Sequence, residues 1–522
     1  MSRLAKFAAL ALSLAPVALT NPALAEEVDQ NRLPPSQDPT RVANGLAQTP
    51  PMGWNSWNKF ACNISEKTIR DTADALVANG MKQAGYTYLV IDDCWHGERD
   101  ARGFITANAK AFPSGIKALA DYVHSKGLKF GIYSDAGTKT CGGRPGSQGH
   151  EYQDAISYAS WGVDYLKYDW CSTGSRNAEE AYALMSDALR STGRDVLLSL
   201  CEWGTNKPWL WASKIGNIWR TTADITDKWS GKHGYALGML DIVDLNEPLW
   251  PYAAPGHWND PDMLEVGNGG MTTTEYRSHF SLWAMMASPL IAGNDVANMS
   301  EETRAILLNS DVIAVDQDRL GRQGRRVAKD GNGEVWVRTL ADGKRAALLF
   351  NRGDAPATAQ VTPAQMKLAE AGFSARDLWQ RKDLTQTRGS LRFALAPREV
   401  ALLKVSGTPV QAGGALLSEL TARVHVAADG LPLYSTRFDQ PAGTPRADLT
   451  PDGATLRVAG RAYPYGIGAH ADSRLEVATR GDFVRFRARV GPQDDAAPVR
   501  DRVVFRVYGD GRLLHATAPL GA

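Results

Sequence analysis

One pattern constrains the fold of this chain more than any other. From Pro51 to about Leu320, helical stretches that close on glycine are followed by short apolar runs ending in acidic or polar residues. The plainest copies are "ANGMKQAGYTYLVIDD", ending at Asp93, "HSKGLKFGIYSD", ending at Asp135, and "YASWGVDYLKYDW", ending at Trp170. Glycine suits a helix C-terminus, and the apolar runs have the length of buried strands. "DVLLSLCEW", "IWRTTAD", "GHWNDPDML" and "SPLIAGND" continue the series and "MGWNSW" begins it, giving eight strand candidates. "GHWNDPDML" fits least well, because Pro261 lies inside it. Eight strands alternating with helices over about 250 residues is the arithmetic of an α/β fold, the (β/α)8 TIM barrel.

Such a barrel gathers the strand C-termini on one face, where active sites form. Here that face collects Asp92, Asp93, Asp169, Glu202, Asp224 and Asp262, with Trp57, Tyr133 and Lys167. Crowded carboxylates are costly unless something pairs or uses them. Hydrolysis of a glycosidic bond uses two, one ionised and one holding a proton. Strand alternation puts Lys167 and Asp169 on one face, so the ammonium favours an ionised Asp169 as nucleophile. Arg220, Thr222 and Asp224 share a face in the same way, and the proton-holding partner stays open among Glu202, Asp224 and Asp262. Asp92, Asp93 and Asp262 could instead hold a hard cation. That alternative is disfavoured: the early strand has no H-x-H pair, and only His96, His150 and His257 of nine histidines fall near strand-end loops. No metal and no cofactor is expected. Among the strand-end aromatics, Trp57 is expected to be the platform for a sugar face.

The flanking segments read differently. Arg3 and Lys6, an apolar stretch from Phe7 to Leu19, and Ala23-Leu24-Ala25 form a secretory signal over residues 1–25, cleaved after Ala25. The apolar stretch is too short to span a bilayer, so a secreted or periplasmic protein is expected. Residues 26–47 read as an extended lead-in, 48–320 as the barrel, 321–405 as an antiparallel β-sandwich, 406–415 as a Gly/Pro-rich linker and 416–522 as a second β-sandwich module. A net charge of +1 gives no electrostatic case for a nucleic-acid or anionic-membrane partner. Five cysteines in an exported chain fit two disulfides and a free thiol, with pairing unset by spacing.

"PPMGWNSWNKFAC", "YLVIDDCW", "GIYSDAGTKTCGG", "YLKYDWC", "SLCEWG", "WRTTADI" and "WNDPDML" together resemble glycoside hydrolase family 27, the α-galactosidase (melibiase) family, over about residues 48–405. The resemblance implies a retaining double displacement with Asp169 as nucleophile and Asp224 as acid/base. It implies sugar contacts from Trp57, Asp92, Asp93, Tyr133, Cys141, Lys167, Cys171, Glu202, Trp203, Arg220 and Asp262, with Met263 beside them. It also implies disulfides Cys62–Cys94 and Cys141–Cys171, leaving Cys201 free. The partner implied is an α-galactoside oligosaccharide or polysaccharide. The Asp92-Asp93 pair resembles members that bind the 4- and 6-hydroxyls of galactose, and "CEWG" resembles galactosidases rather than N-acetylgalactosaminidases. Sister specificities are the alternatives: β-L-arabinopyranosidase, α-N-acetylgalactosaminidase, α-transglycosylase, or a non-catalytic galactoside-binding protein. "YPYGIGAHADSRLEVAT" and "VVFRVYGDGRLLH" resemble an NPCBM carbohydrate-binding module, which here stops early and is expected to be incomplete.

Overall fold

The computed structural model describes residues 44–370, 372–384, 389–411, 416–419, 423–426, 446–469, 473–477, 483–494 and 503–520. The expected signal and most of the lead-in lie outside these residues.

All eight expected barrel strands form: β1 Met52–Asn55, β2 Tyr88–Ile91, β3 Lys129–Asp135, β4 Tyr165–Asp169, β5 Leu197–Cys201, β6 Ile218–Arg220, β7 Trp258–Asp260 and β8 Leu290–Ala292. They are parallel; β1 to β7 pair successively in chain order, and β8 pairs with β1. The β7–β8 side has no ladder, because Pro261 interrupts β7. Leu264 closes the cylinder instead, donating to Ile291 O at 2.8 Å and accepting from Gly293 N at 3.0 Å.

Alternation divides each strand. Leu89, Ile91, Phe130, Ile132, Leu166, Tyr168, Leu198 and Leu200 point outward into the core shared with the helices. Tyr88, Val90, Tyr165, Leu197, Ile218 and Trp258 form a separate inner cluster low in the barrel. Gly53 and Gly131 make room for it: a Cβ on Gly53 would lie 2.3 Å from Tyr88 O, and one on Gly131 would lie 2.8 Å from Val90. Leu46 and Ala47, at the end of the lead-in, pack against this cluster, and Ala47 O accepts from the Trp258 indole at 2.7 Å. The barrel is therefore plugged by apolar groups at its base, and its polar residues collect at the other end.

Helices α1 Glu66–Ala78, α2 Gly115–Ser125, α3 Glu151–Trp161, α4 Ala178–Ser191, α5 Met239–Asn246 and α6 Thr273–Met285 wrap the strands. Their apolar stripes face inward, as Ile116, Leu119, Ala120 and Val123 do on α2. Thr272 and Glu275 form a capping box at the start of α6, worth about 1 kcal/mol.

The sandwich has strands β9 Arg325–Asp330, β10 Gly333–Thr339, β11 Arg345–Asn351, β12 Ala357–Val361, β13 Ser374–Asp377, β14 Lys382–Asp383, β15 Leu391–Leu395 and β16 Val400–Ser406. The order β9-β10-β11-β16-β13-β14 makes one sheet, and β12 pairs with β15 in the other. β11 is buried on both faces. Ala347 and Leu349 fill the sandwich core, while Leu348 and Phe350 join the barrel's core. Arg352 and Arg326 reach across to Asp244 on α5, both at 2.7 Å. Barrel and sandwich are thus one packed body. Beyond them, the described residues form short antiparallel ladders, including Arg506–Gly509 with Arg512–Ala516 around the "GDG" turn.

Candidate active site

Register brings the strand-end residues together. Lys167 lies opposite Tyr133, and Asp169 lies between Asp135 and Cys201. Paired residues of parallel strands point the same way, so all of them face the barrel's interior.

Asp169 is buried, and its carboxylate accepts from its neighbour Trp170 N at 2.9 Å. Burial pushes the carboxyl up to about 7 and Asp224 adds to the rise, while Lys167 opposes it. The expected direct help from Lys167 is redirected. Its ammonium bonds Asp92 at 2.8 Å, on the same oxygen that accepts from Asn55 Nδ2 at 2.7 Å. Lys167 therefore acts on Asp169 through space, and burial outweighs it.

Asp93 accepts from Cys94 N at 2.6 Å and Gly142 N at 2.7 Å, which ties the loop after β2 to the loop after β3. Two disulfides reinforce these loops. Cys62–Cys94 joins the loops after β1 and β2, Cys141–Cys171 joins those after β3 and β4, and Cys201 is free and buried. The third and fourth loops run so close that a Cβ on Gly137 would lie 2.0 Å from Cys171 O.

Asp224 follows β6 and keeps a side chain 32% exposed. Arg220 bridges it, at 3.0 Å, to the buried Asp262, at 2.9 Å. Asp262 also accepts from Ile225 N and Met263 N, both at 2.8 Å. Its backbone has φ 87°, a left-handed conformation just after Pro261 that turns the carboxylate inward. Burial raises Asp262 to about 6.

Glu202 is buried at the end of β5. Its Oε2 accepts from Asn206 N at 2.6 Å and Asn206 Nδ2 at 2.8 Å, its Oε1 has no partner among the described residues, and burial pushes it up to about 7. Trp203, at φ 57°, and Trp57 are half-buried, and the Tyr133 hydroxyl is buried with no partner among the described residues. Buried polar atoms left open in this way are what a hydroxyl-rich ligand can satisfy.

Every residue expected at the site sits at this end of the barrel or on the loops above it. Asp135 is the omission. It accepts from Gly137 N at 2.7 Å and Cys171 N at 2.9 Å, and burial with Asp169 pushes it up to about 8. Its signal was its place at the end of a plain strand copy, as for Asp93.

Of the three histidines near the strand ends, His96 lies beside the site, 3.7 Å from Asp93 and edge-on to Tyr133. His96 is buried and stacked on Trp95, and burial holds it down to about 3. His150 bonds Gln153 and His257 stacks on Trp219. Asp92 and Asp262, considered as cation ligands, each already engage a protein cation. The group Asp135, Cys141 and Cys171 brings ligand atoms together, but its sulfurs are joined in a disulfide.

Residues 49–318 match the family model described as alpha galactosidase A. The chain belongs to glycoside hydrolase family 27, the α-galactosidase family. Residues 330–405 match the alpha galactosidase C-terminal beta sandwich domain, and residues 425–522 match the NPCBM/NEW2 domain. Alpha-galactosidase A of Cellvibrio japonicus is 60% identical over 313 residues, covering 59% of this chain and 77% of that protein. The crystal structure of α-galactosidase I from Mortierella vinacea superposes with a TM-score of 0.69 at 39% identity, covering 70% of this chain and 99% of that one. A Saccharomyces cerevisiae α-galactosidase solved with raffinose gives 0.66 at 32% identity, covering 70% and 99%. This α-galactosidase family member therefore carries the family's barrel and sandwich together with an NPCBM region.

Proposed function

We propose that this enzyme removes terminal α-D-galactosyl groups from galactosides by a retaining double displacement, with Asp169 as nucleophile and Asp224 as acid/base. The observation that carries this reading is the contrast between the two carboxyls. Asp169 is enclosed at the end of β4, whereas Asp224 is 32% exposed and held by Arg220 at the rim. A nucleophile needs only the anomeric carbon, whereas an acid/base must meet both the leaving oxygen and, later, water.

In the first step Asp169 Oδ attacks the anomeric carbon. The glycosidic C–O bond breaks, and the leaving oxygen takes the Asp224 proton. The resulting ester uses up the charge on Asp169. In the second step Asp224 takes a proton from water, whose oxygen displaces Asp169 and releases galactose with its configuration retained. Asp92 and Lys167, with Asp93, supply acceptors and a donor for the sugar hydroxyls. Trp57 and Tyr133 offer ring faces, and Glu202, Trp203, Arg220, Asp262 and the Cys141–Cys171 disulfide enclose the rest. Glu202 and Trp203, at the end of β5, are assigned to the side where an acetamido group would have to fit, which favours galactose over N-acetylgalactosamine. Raffinose, held by the yeast relative, represents the substrate class. The disulfides, together with the signal expected over residues 1–25, support a secreted or periplasmic location.

The test is a fluorinated galactosyl fluoride that forms the ester but releases it slowly. Peptide mapping should find the galactosyl mass on Asp169, and proton NMR of an ordinary turnover should show α-galactose first. A label on another carboxylate would remove Asp169 from its role, and β-galactose as first product would remove the retaining mechanism. A panel of aryl α-galactoside, β-L-arabinopyranoside and α-N-acetylgalactosaminide separates the sister specificities.

A further inference from the structure

A narrow cleft lies where barrel, sandwich and C-terminal region meet, far in sequence from the catalytic loops, and its lining is cationic. Arg322 comes from the segment joining barrel to sandwich, Arg325 from β9, Arg345 from β11 and Lys367 from the loop after β12. The C-terminal side answers with Glu419 in the lining and Asp448 beside it.

The pairing is uneven. Arg345 bonds Glu419 at 3.1 Å and gives its other donors to Met366 O at 2.8 Å and Gly343 O at 2.7 Å. Lys367 holds Asp448 and Ser418 Oγ, both at 2.7 Å. Arg325 reaches the same Asp448 oxygen at 3.4 Å and lies over the Trp250 ring at 5.0 Å. Arg322 is left over: no hydrogen bond or ion pair joins it to a described residue. Glu419 and Asp318 attract it and Arg345 and Arg325 repel it, but Asp318 already accepts from the backbone N–H groups of Leu320 and Ala341. Burial and the two arginines push Arg322 down to about 10.

The Arg322 side chain is half-buried and its nitrogens still reach solvent, so its guanidinium is open to an incoming anion. The chain's net charge is only +1, so four cations around one cleft are not a reflection of general basicity. A guanidinium fork fits two oxygens of one anion, which favours an oxyanion over a halide. The amide of Gln365, whose carbonyl is taken by Thr362 N, adds a neutral donor to the lining.

We propose that this cleft binds a tetrahedral oxyanion, sulfate or phosphate, with Arg322 as its principal ligand. The same chemistry is presented by free inorganic anions and by sulfate esters on a polysaccharide.

The test uses the whole chain and its Arg322→Gln variant. Calorimetric titrations with sodium sulfate, sodium phosphate and a sulfated galactan are run at one ionic strength held with chloride, with thermal unfolding followed alongside. The parent chain should bind saturably, and Arg322→Gln should bind about tenfold more weakly or worse, as loss of a charge-assisted contact predicts. Unchanged kcat/KM of the variant on an aryl α-galactoside shows that it is folded. Saturation by the inorganic salts identifies a free anion, and saturation by the galactan alone identifies an ester. No saturable binding by any of the three, or equal binding by parent and Arg322→Gln, overturns the site.

Discussion

Lys167 gives its ammonium to Asp92, at 2.8 Å, and not to Asp169 two residues along its own strand. The lysine thereby holds the Asp92 carboxylate in place while its charge still favours ionisation of Asp169, the proposed nucleophile.

Lys167→Met should therefore shift the acid limb of kcat/KM. Asp169 lies near 7 with Lys167 present, and removing the cation raises it further, while an unpaired Asp92 adds to the rise. The limb is expected to move about one pH unit or more toward alkaline, with a larger loss at pH 5.5 than at pH 8. A pH–rate series on an aryl galactoside checks this. An unshifted limb would separate Lys167 from the ionisation of Asp169.

Asp224→Ala should divide substrates by leaving group. Glycosylation from a dinitrophenyl galactoside needs little protonation and is expected to survive far better than cleavage of melibiose, by about 100-fold or more. Pre-steady-state release of dinitrophenol should outrun turnover, and added azide should speed turnover by replacing activated water. Equal losses on both substrates would count against the acid/base role.

Asp135→Asn should show a pH-dependent stability. Below about pH 4 the carboxyl is protonated in the folded and unfolded chain alike. From there to about 8 the unfolded chain ionises it while the fold retains the proton, so rising pH favours unfolding. The amide is free of that effect but turns an N–H donor toward one of the two backbone donors it replaces. Asp135→Asn is expected to melt below the parent at pH 4.5 and to gain on it by about 2 kcal/mol or more by pH 8. Calorimetry at four pH values decides it, and a difference that stays constant would place the Asp135 proton elsewhere.

The cysteines can be counted chemically. Native protein should expose no reactive thiol, and denatured protein should expose one, from Cys201. Replacing Cys141 and Cys171 with alanine should cost about 2–4 kcal/mol of stability and most of the activity, because that bridge also walls the pocket. Thiol titration and urea unfolding measure the two effects.

The fold was legible because each barrel strand is a short apolar run with a helix-ending glycine before it, a signal carried within one segment. Even β7 could be placed despite Pro261. The substitute closure by Leu264 could not, since it depends on where β8 lies. The same limit explains the site. Alternation correctly set Lys167 and Asp169 on one face, but the choice of Asp92 as partner depends on packing across β3, which spacing along β4 does not encode. Asp135 carried the same strand-end signal as its neighbours. Nothing local distinguishes a carboxyl that clamps two loops from one that merely ends a strand.

The seam at Leu264 has a mechanical consequence. Two backbone hydrogen bonds there do what a full ladder does elsewhere around the cylinder, and Leu264 stands two residues after Asp262, which Arg220 links to Asp224. The stiffness of Asp224, the proposed acid/base, is therefore borrowed from a narrow joint in the wall. A breathing motion of that joint would loosen the rim that carries Asp224 while leaving the floor that holds Asp169 rigid.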